Sequence, residues 1–129
     1  MPTIRTALRG VILATTVAAA AACSGGGAAA SLTAPPDATA TVVAQNTKFT
    51  DPAVRLPANQ PARVFFKNLD GEQHNVAFYT DSSATTKLFA GETITNSAVV
   101  YEVPALPAGH YFMRCDVHPS MTGTLDVGG

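Results

Sequence analysis

The chain has 129 residues with 8 basic and 9 acidic side chains, so its formal net charge is −1, and 47% of its residues are hydrophobic. A chain of this length usually forms a single domain, and the N-terminal part of this one lacks the composition of a folded unit. The balanced charge offers no basic surface of the kind that binds nucleic acid, so we expect no nucleic-acid partner.

Residues 1–22 have the pattern of an export signal. Arg5 and Arg9 precede an apolar run, Val11 to Ala22, that contains no charge. Its 12 residues are too few to cross a bilayer, but they match the hydrophobic region of a signal peptide. We therefore expect the mature protein to act outside the cytoplasm, in the periplasm or at the cell surface.

Cys23 follows Ala20, Ala21 and Ala22 and resembles the modified cysteine of bacterial lipoproteins. The resemblance implies cleavage just before Cys23 and attachment of a diacylglycerol to its sulfur. Ala20 stands where that family prefers leucine, so ordinary cleavage to a soluble secreted protein and an uncleaved anchor stay open as alternatives. Two or three acyl chains give durable anchoring, because each buried CH₂ contributes about 0.8 kcal/mol.

The stretch after the cysteine, SGGGAAASLTAPPDATA, consists of small residues and proline with one charge. Such a composition forms no core, so residues 23–40 are interpreted as the lipidated cysteine and a flexible linker. The folded domain is then residues 41–129. Removing Arg5 and Arg9 with the signal leaves the mature chain 6 basic against 9 acidic residues, a formal charge of −3.

From residue 41 onward, short β-rich runs alternate with clusters of turn residues, and no helical period is present. This spacing indicates an all-β sandwich or barrel. A further edge strand is possible at 87–90. The predicted strands lie at about 41–45, 53–56, 62–68, 74–80, 98–103, 109–115 and 122–127.

Strand alternation places Met113 and Cys115 on one face of their strand and His110 on the other. We therefore interpret Met113 as core and His110 as a surface residue. Tyr79 is interpreted as a packing residue. Asp70 and Glu72 fall in a turn, NLDGEQ, and are predicted to be solvated.

One cysteine remains in the folded domain, so it has no internal disulfide partner. It belongs to the motif Cys115-x-x-His118-x-x-Met121, and His74 lies 41 residues before it. Two imidazoles, a thiolate and a weak axial thioether are the ligand set of blue-copper electron-transfer sites. A structural cysteine with unrelated histidines is the alternative for each residue taken singly.

The blocks GEQHNVAFY and LPAGHYFMRCDVHPSMTGTLDV resemble the cupredoxins, the small type 1 blue copper proteins that include plastocyanin, pseudoazurin and amicyanin. The spacing from cysteine to methionine, with Pro119 after the histidine, is that of amicyanin. The resemblance covers residues 41–129. It implies an eight-stranded Greek-key β-sandwich with one copper ion at one end, held by His74, Cys115 and His118 as equatorial ligands and by Met121 as axial ligand.

The resemblance also implies roles for neighbouring residues. Asn75 is expected to tie the two ligand loops together through its side chain. The residue after the cysteine is usually serine or threonine in the family and is Asp116 here, and its negative charge is expected to favour Cu(II). Replacement by threonine is therefore predicted to raise the reduction potential. An apolar patch for electron exchange is predicted from Val117, Pro119, Leu106 and Pro107.

The function predicted is that of a membrane-anchored monomer that shuttles single electrons between redox partner proteins. A copper carrier or buffer that delivers the metal to another exported protein is the alternative. Enzymatic activity is not expected, since a copper oxidase or nitrite reductase needs more histidines than the 3 present, and a binuclear copper centre needs two cysteines on the ligand loop. Structural zinc is disfavoured because a thioether is not a usual zinc ligand.

Overall fold

The computed structural model describes residues 32–128, which form eight β-strands and no helix. The export signal and Cys23 lie outside the described residues. The strands are β1 Ala40–Ala44, β2 Ala53–Leu56, β3 Ala62–Asn68, β4 Ala77–Tyr79, β5 Lys87–Ala90, β6 Ser97–Val103, β7 Gly109–Arg114 and β8 Thr122–Val127.

The strands form two sheets that face each other across a common core. One sheet has the order β1-β3-β6 and the other the order β2-β8-β7-β4-β5. β1 pairs with β3 and β2 with β8 in parallel, and the other pairs are antiparallel. Strands that are not consecutive in sequence lie side by side, so the chain crosses between the sheets. This confirms the predicted all-β sandwich, and β5 is the suspected edge strand.

Alternation along the strands supplies the core. In β3 the side chains of Val64 and Phe66 are fully buried, and in β8 Leu125 is buried between more exposed neighbours. Met113 is also fully buried, as its position on β7 predicts, whereas 93% of the His110 side chain is exposed beside Asp126. Burying such side chains between two sheets is the main force that holds a sandwich together.

Two strands are shorter than predicted at the end of the molecule that holds His74 and Cys115: β4 begins three residues later, and β7 ends one residue earlier. Only residues 77–79 of the predicted strand 74–80 lie in β4, and His74 makes one isolated bridge to Ile94. Cys115 lies just past β7 because its N–H donates to the carbonyl of Met121 at 2.9 Å rather than to a neighbouring strand. The backbone thus leaves the regular ladders at both histidine- and cysteine-bearing segments.

Gly91 lies directly against the ring of Tyr101, which packs on Phe66 and Phe89 and donates from its hydroxyl to the carbonyl of Glu92 at 2.6 Å. A Cβ at position 91 would lie 2.2 Å from the Tyr101 Cζ atom. Because the ring is buried on both sides, it has little freedom to move away.

We therefore expect Gly91→Ala to lower the free energy of unfolding by about 2 kcal/mol, as overpacking of a filled core does. Urea denaturation followed by fluorescence measures the change. Gly71→Ala is the matched control, since no atom lies within 4 Å of its Cβ position. Equal stability of the two variants would contradict the packing argument.

Residues 32–128 contain no helix with the length and hydropathy that a membrane span requires.

Candidate metal centre

Three donor side chains from two separate segments meet at one end of the sandwich. His74 precedes β4, while Cys115 and His118 lie in the loop between β7 and β8, and one donor atom from each lies within 4.8 Å of the others. The His74 Nδ1 atom is 3.8 Å from the Cys115 Sγ atom, and the two imidazole centroids are 4.7 Å apart. His74 and Cys115 are fully buried, and 27% of the His118 side chain is exposed.

The loop from β7 to β8 is closed by its own backbone. The N–H of Cys115 donates to the carbonyl of Met121, and the N–H of Met121 donates to the carbonyl of His118, each at 2.9 Å. Met121 is 2% exposed and belongs to the core cluster that includes Cys115. These bonds bring the three residues of the motif together, and the axial role of Met121 stays a prediction.

The two nitrogens of His118 have different surroundings. Its Nε2 atom is 3.3 Å from a carboxylate oxygen of Glu72. Its Nδ1 atom is buried and has no hydrogen-bond partner among residues 32–128. Leaving a buried polar atom unpaired costs about 1–3 kcal/mol, so this nitrogen calls for a partner, and a metal ion beside Cys115 would supply it.

His74 is oriented in the same way by a second carboxylate. Its Nε2 atom is 2.9 Å from Asp70 Oδ2, and since a carboxylate accepts, Nε2–H is the donor of this bond, while Nδ1 lies on the side of Cys115. The N–H of Thr47, helped by that of Asn46, holds the pKa of Asp70 below its ordinary value despite partial burial. Asp70 was predicted to be solvated, but only 16% of its side chain is exposed.

Asn68 fixes the turn that carries both carboxylates. It is fully buried, and its amide group donates to the carbonyls of Glu72 and Ile94, both at 2.7 Å. Its side-chain oxygen accepts from the N–H of Asp70 at 2.9 Å. The sequence offers one sign of this role, an amide residue at the inner end of a buried strand, where turn-forming hydrogen bonds are common.

Asn75 connects the two ligand segments. Its side-chain oxygen accepts from the N–H of Asp116 at 2.8 Å, and its amide nitrogen donates to the carbonyl of Gly91 at 2.9 Å and toward Asp116 Oδ2 at 3.4 Å. The side chain thus spans the segments of His74 and Cys115, which is the tie expected from the sequence. Such contacts hold ligand residues in register.

Asp116 has cationic neighbours that sequence reasoning did not find. Lys87 Nζ donates to Asp116 Oδ2 at 2.9 Å, and Arg114 Nη2 lies 3.6 Å from Oδ1, to which the Tyr79 hydroxyl also donates. Burial acts to raise the pKa of Asp116, but the hydrogen bonds from Tyr79, Lys87 and Asn75 bring it below its ordinary value. Tyr79 therefore does more than pack.

The predicted apolar patch is only partly at the surface. Val117 is 43% exposed, and Pro107 and Pro119 are exposed. Leu106 is 7% exposed and lies in the core, because its carbonyl accepts from the N–H of Asn59 and its side chain turns inward, so its assignment to the patch was wrong.

The grouped donors fit one type 1 copper ion. A thiolate stabilises Cu(I), and imidazoles serve both oxidation states. The orphaned His118 Nδ1 and the two carboxylate-held rings agree with this donor chemistry.

Comparisons with known proteins agree with the fold. A family model described as a cupredoxin-like domain matches residues 11–127. Amicyanin from Paracoccus versutus (Thiobacillus versutus) is 30% identical, with 77% of this chain and 89% of that chain covered and a TM-score of 0.58. A search of curated proteins found no match.

Two further solved structures show the same fold at lower identity. Dithionite-reduced auracyanin from the photosynthetic bacterium Roseiflexus castenholzii is 18% identical over 78% of this chain and 99% of that chain, with a TM-score of 0.62. An amicyanin variant in its reduced Cu(I) form at pH 4 is 23% identical over 77% and 89%, with a TM-score of 0.57. Because the cupredoxin-like family model matches residues 11–127, which is most of this chain, the chain belongs to the cupredoxin family.

Proposed function

We propose that this protein carries single electrons through one type 1 copper ion, with His74, Cys115 and His118 as equatorial ligands and Met121 as axial ligand. The observation that carries the proposal is that His74, Cys115 and His118 bring donor atoms within 4.8 Å of one another, while the buried Nδ1 atom of His118 has no hydrogen-bond partner in the described part of the chain. An electron carrier needs no substrate pocket, so we propose no enzymatic reaction.

Bound copper supplies the chemistry by accepting and releasing one electron. The contacts of the chain itself would hold the ligand residues in place in both oxidation states. Asp70 holds the His74 ring, Asn75 spans both ligand segments, and backbone hydrogen bonds close the loop from Cys115 to Met121. Because little has to rearrange when the charge changes, such a preorganised site lowers the barrier to electron exchange.

His118 is proposed as the exit for electrons. It is the one residue of the grouped donors that reaches the surface, and the exposed side chains of Val117 and Pro119 flank it in the chain. A small, mostly apolar contact suits the brief docking of redox partners. Glu72, 65% exposed beside the His118 Nε2 atom, adds one negative charge at this edge.

The place of action is proposed from the N-terminal sequence. An export signal over residues 1–22 and a lipid on Cys23 would place the domain outside the cytoplasm on a membrane surface. The small residues that follow Cys23 would serve as the linker to a monomeric domain, whereas Ala40, which the sequence assigned to that linker, belongs to β1. The partners are then redox proteins of the same compartment.

Titration of the metal-free protein with Cu(II) tests the proposal. We expect one equivalent of copper to produce an intense visible thiolate-to-copper band, which ascorbate bleaches and an oxidant restores. The spin-resonance spectrum should show the narrow copper hyperfine splitting of a type 1 site. A protein that binds copper without this band would not be an electron carrier of this kind.

A chelator challenge separates electron transfer from copper delivery. Two of the grouped donors are fully buried, so exchange of the metal is expected to be slow. Rapid loss of Cu(I) to a soluble chelator, with equally rapid transfer to a second exported copper protein, would favour the carrier alternative.

A further inference from the structure

The turn between β1 and the segment that follows it has an uncommon backbone. Gln45 and Lys48 exchange N–H to carbonyl hydrogen bonds at 2.9 and 3.2 Å, and both residues between them, Asn46 and Thr47, have φ of 55°. Asparagine enters this left-handed region with little penalty, but β-branched threonine does so only when its surroundings hold it there. A glycine would adopt the same turn without strain.

Asp70 meets this turn with both of its carboxylate oxygens. The N–H of Asn46 donates to Oδ1 at 2.7 Å, and the N–H of Thr47 donates to Oδ2 at 2.9 Å. Successive N–H groups that point the same way form an anion-binding concavity. The turn therefore binds a side chain that lies 23 and 24 residues further along the chain.

The same carboxylate also contacts the buried histidine. Asp70 Oδ2 accepts from the Thr47 N–H and is 2.9 Å from the Nε2 atom of His74. The contact with the turn alone does not require Asp70 to approach a fully buried imidazole, so the carboxylate has a second partner in His74. One acidic side chain thus connects a surface turn to a ring whose other nitrogen is 3.8 Å from the Cys115 sulfur.

We propose that the strained Asn46–Thr47 turn, acting through Asp70, is a positioning element that fixes the tautomer and orientation of His74. The turn holds the carboxylate, and the carboxylate holds the proton on Nε2. This leaves Nδ1 unprotonated for a ligand. The proposal rests on the proposed copper function for the identity of that ligand, and its structural part concerns the metal-free protein as well.

The first experiment uses the metal-free protein. Nitrogen chemical shifts of a histidine-labelled sample are expected to show neutral His74 almost entirely as the Nε2–H tautomer. In Asp70→Ala we expect a mixture of tautomers, and in Asp70→Glu a return toward the original state. An unchanged tautomer in Asp70→Ala would overturn the proposal, whether or not the protein binds copper.

The second experiment measures metal affinity by competition with a Cu(I) chelator. Loss of a group that orients a ligand costs about 10–100-fold in affinity, and we expect Asp70→Asn to fall in this range and to raise the reduction potential. Asp51→Asn is the control, because that carboxylate caps only its own turn at Ala53. An affinity within twofold of the original protein for Asp70→Asn would overturn the proposal.

Two substitutions at one position test the turn itself. Thr47→Gly keeps the N–H and removes the strain, so we expect a higher melting temperature with the tautomer and affinity unchanged. Thr47→Pro removes the N–H and forbids the positive φ, so we expect the tautomer mixture of Asp70→Ala. If Thr47→Pro folds and keeps a pure Nε2–H tautomer, the turn has no part in positioning His74. If copper never binds the original protein, the proposed function fails while the tautomer result stands on its own.

Discussion

Cys115→Ser is expected to abolish the visible band that Cu(II) produces in the original protein and to lower copper affinity by several orders of magnitude. The band arises from charge transfer between a thiolate and Cu(II), and a serine hydroxyl, with a far higher pKa, supplies neither the sulfur orbital nor the anion. Cys115 is fully buried and is the free thiol of the described residues, so no other sulfur anion stands beside His74.

The matched control for this variant is the other cysteine of the chain. Cys23→Ser is expected to leave the band, its intensity and the copper stoichiometry unchanged, since Cys23 is assigned to lipid attachment. Circular dichroism should show that Cys115→Ser keeps its β-sheet content, because serine is only slightly smaller than cysteine and fits the same space. Persistence of the visible band in Cys115→Ser would refute the ligand assignment.

The sequence could indicate the candidate donors because the information for them is local. Cys115, His118 and Met121 are spaced three apart, and His74 stands beside an asparagine at the start of an apolar run. Their side-chain types alone restrict the chemistry to soft metal ions. The structure then confirms the sandwich and brings the cysteine and both histidines to one end of it.

The residues that orient these donors were not predictable in the same way. Asp70 lies in the turn NLDGEQ, which has the composition of a solvated loop, and its burial depends on the turn at Asn46 and Thr47, 24 and 23 residues earlier, which folds onto it. Lys87 reaches Asp116 only because β5 is the edge strand beside β4. Contacts of this kind follow from sheet order, which hydrophobic periodicity does not specify.

Strand lengths near the site show the same limit. The period-2 pattern of residues 74–80 predicts a continuous strand, yet His74 and Asn75 leave the ladder to make side-chain contacts with Asp70 and Asp116. Leu106 lies between Pro104 and Pro107 in a segment with the composition of an exposed loop, but its side chain is buried in the core. Local propensity is overridden wherever tertiary contacts offer more burial or better hydrogen bonds.

The reduction potential is expected to depend on the charges that surround the residue after Cys115. Hydrogen bonds from Tyr79, Lys87 and Asn75 keep the pKa of Asp116 low, so its carboxylate would stabilise the more positive Cu(II) state, and Asp116→Thr should raise the potential. A unit charge within about 10 Å of the metal, at an effective dielectric constant of about 20, changes its energy by about 1.7 kcal/mol, which is about 70 mV for one electron. Voltammetry of the copper-loaded variant measures the shift.

Lys87 provides the opposing test, because its ammonium group lies 2.9 Å from the same carboxylate. Lys87→Met removes a positive charge and should lower the potential, by less than Asp116→Thr raises it, since 46% of the Lys87 side chain is exposed and solvent screens its charge. The double variant should lie between the two single ones. If Asp116 acted only by hydrogen bonding to Asn75 and Tyr79, Asp116→Asn would behave like the original protein, because an amide oxygen can still accept these bonds. A fall in potential for Lys87→Met together with a rise for Asp116→Asn would establish that the charge of this pair, and not its hydrogen bonds alone, sets the redox balance of the site.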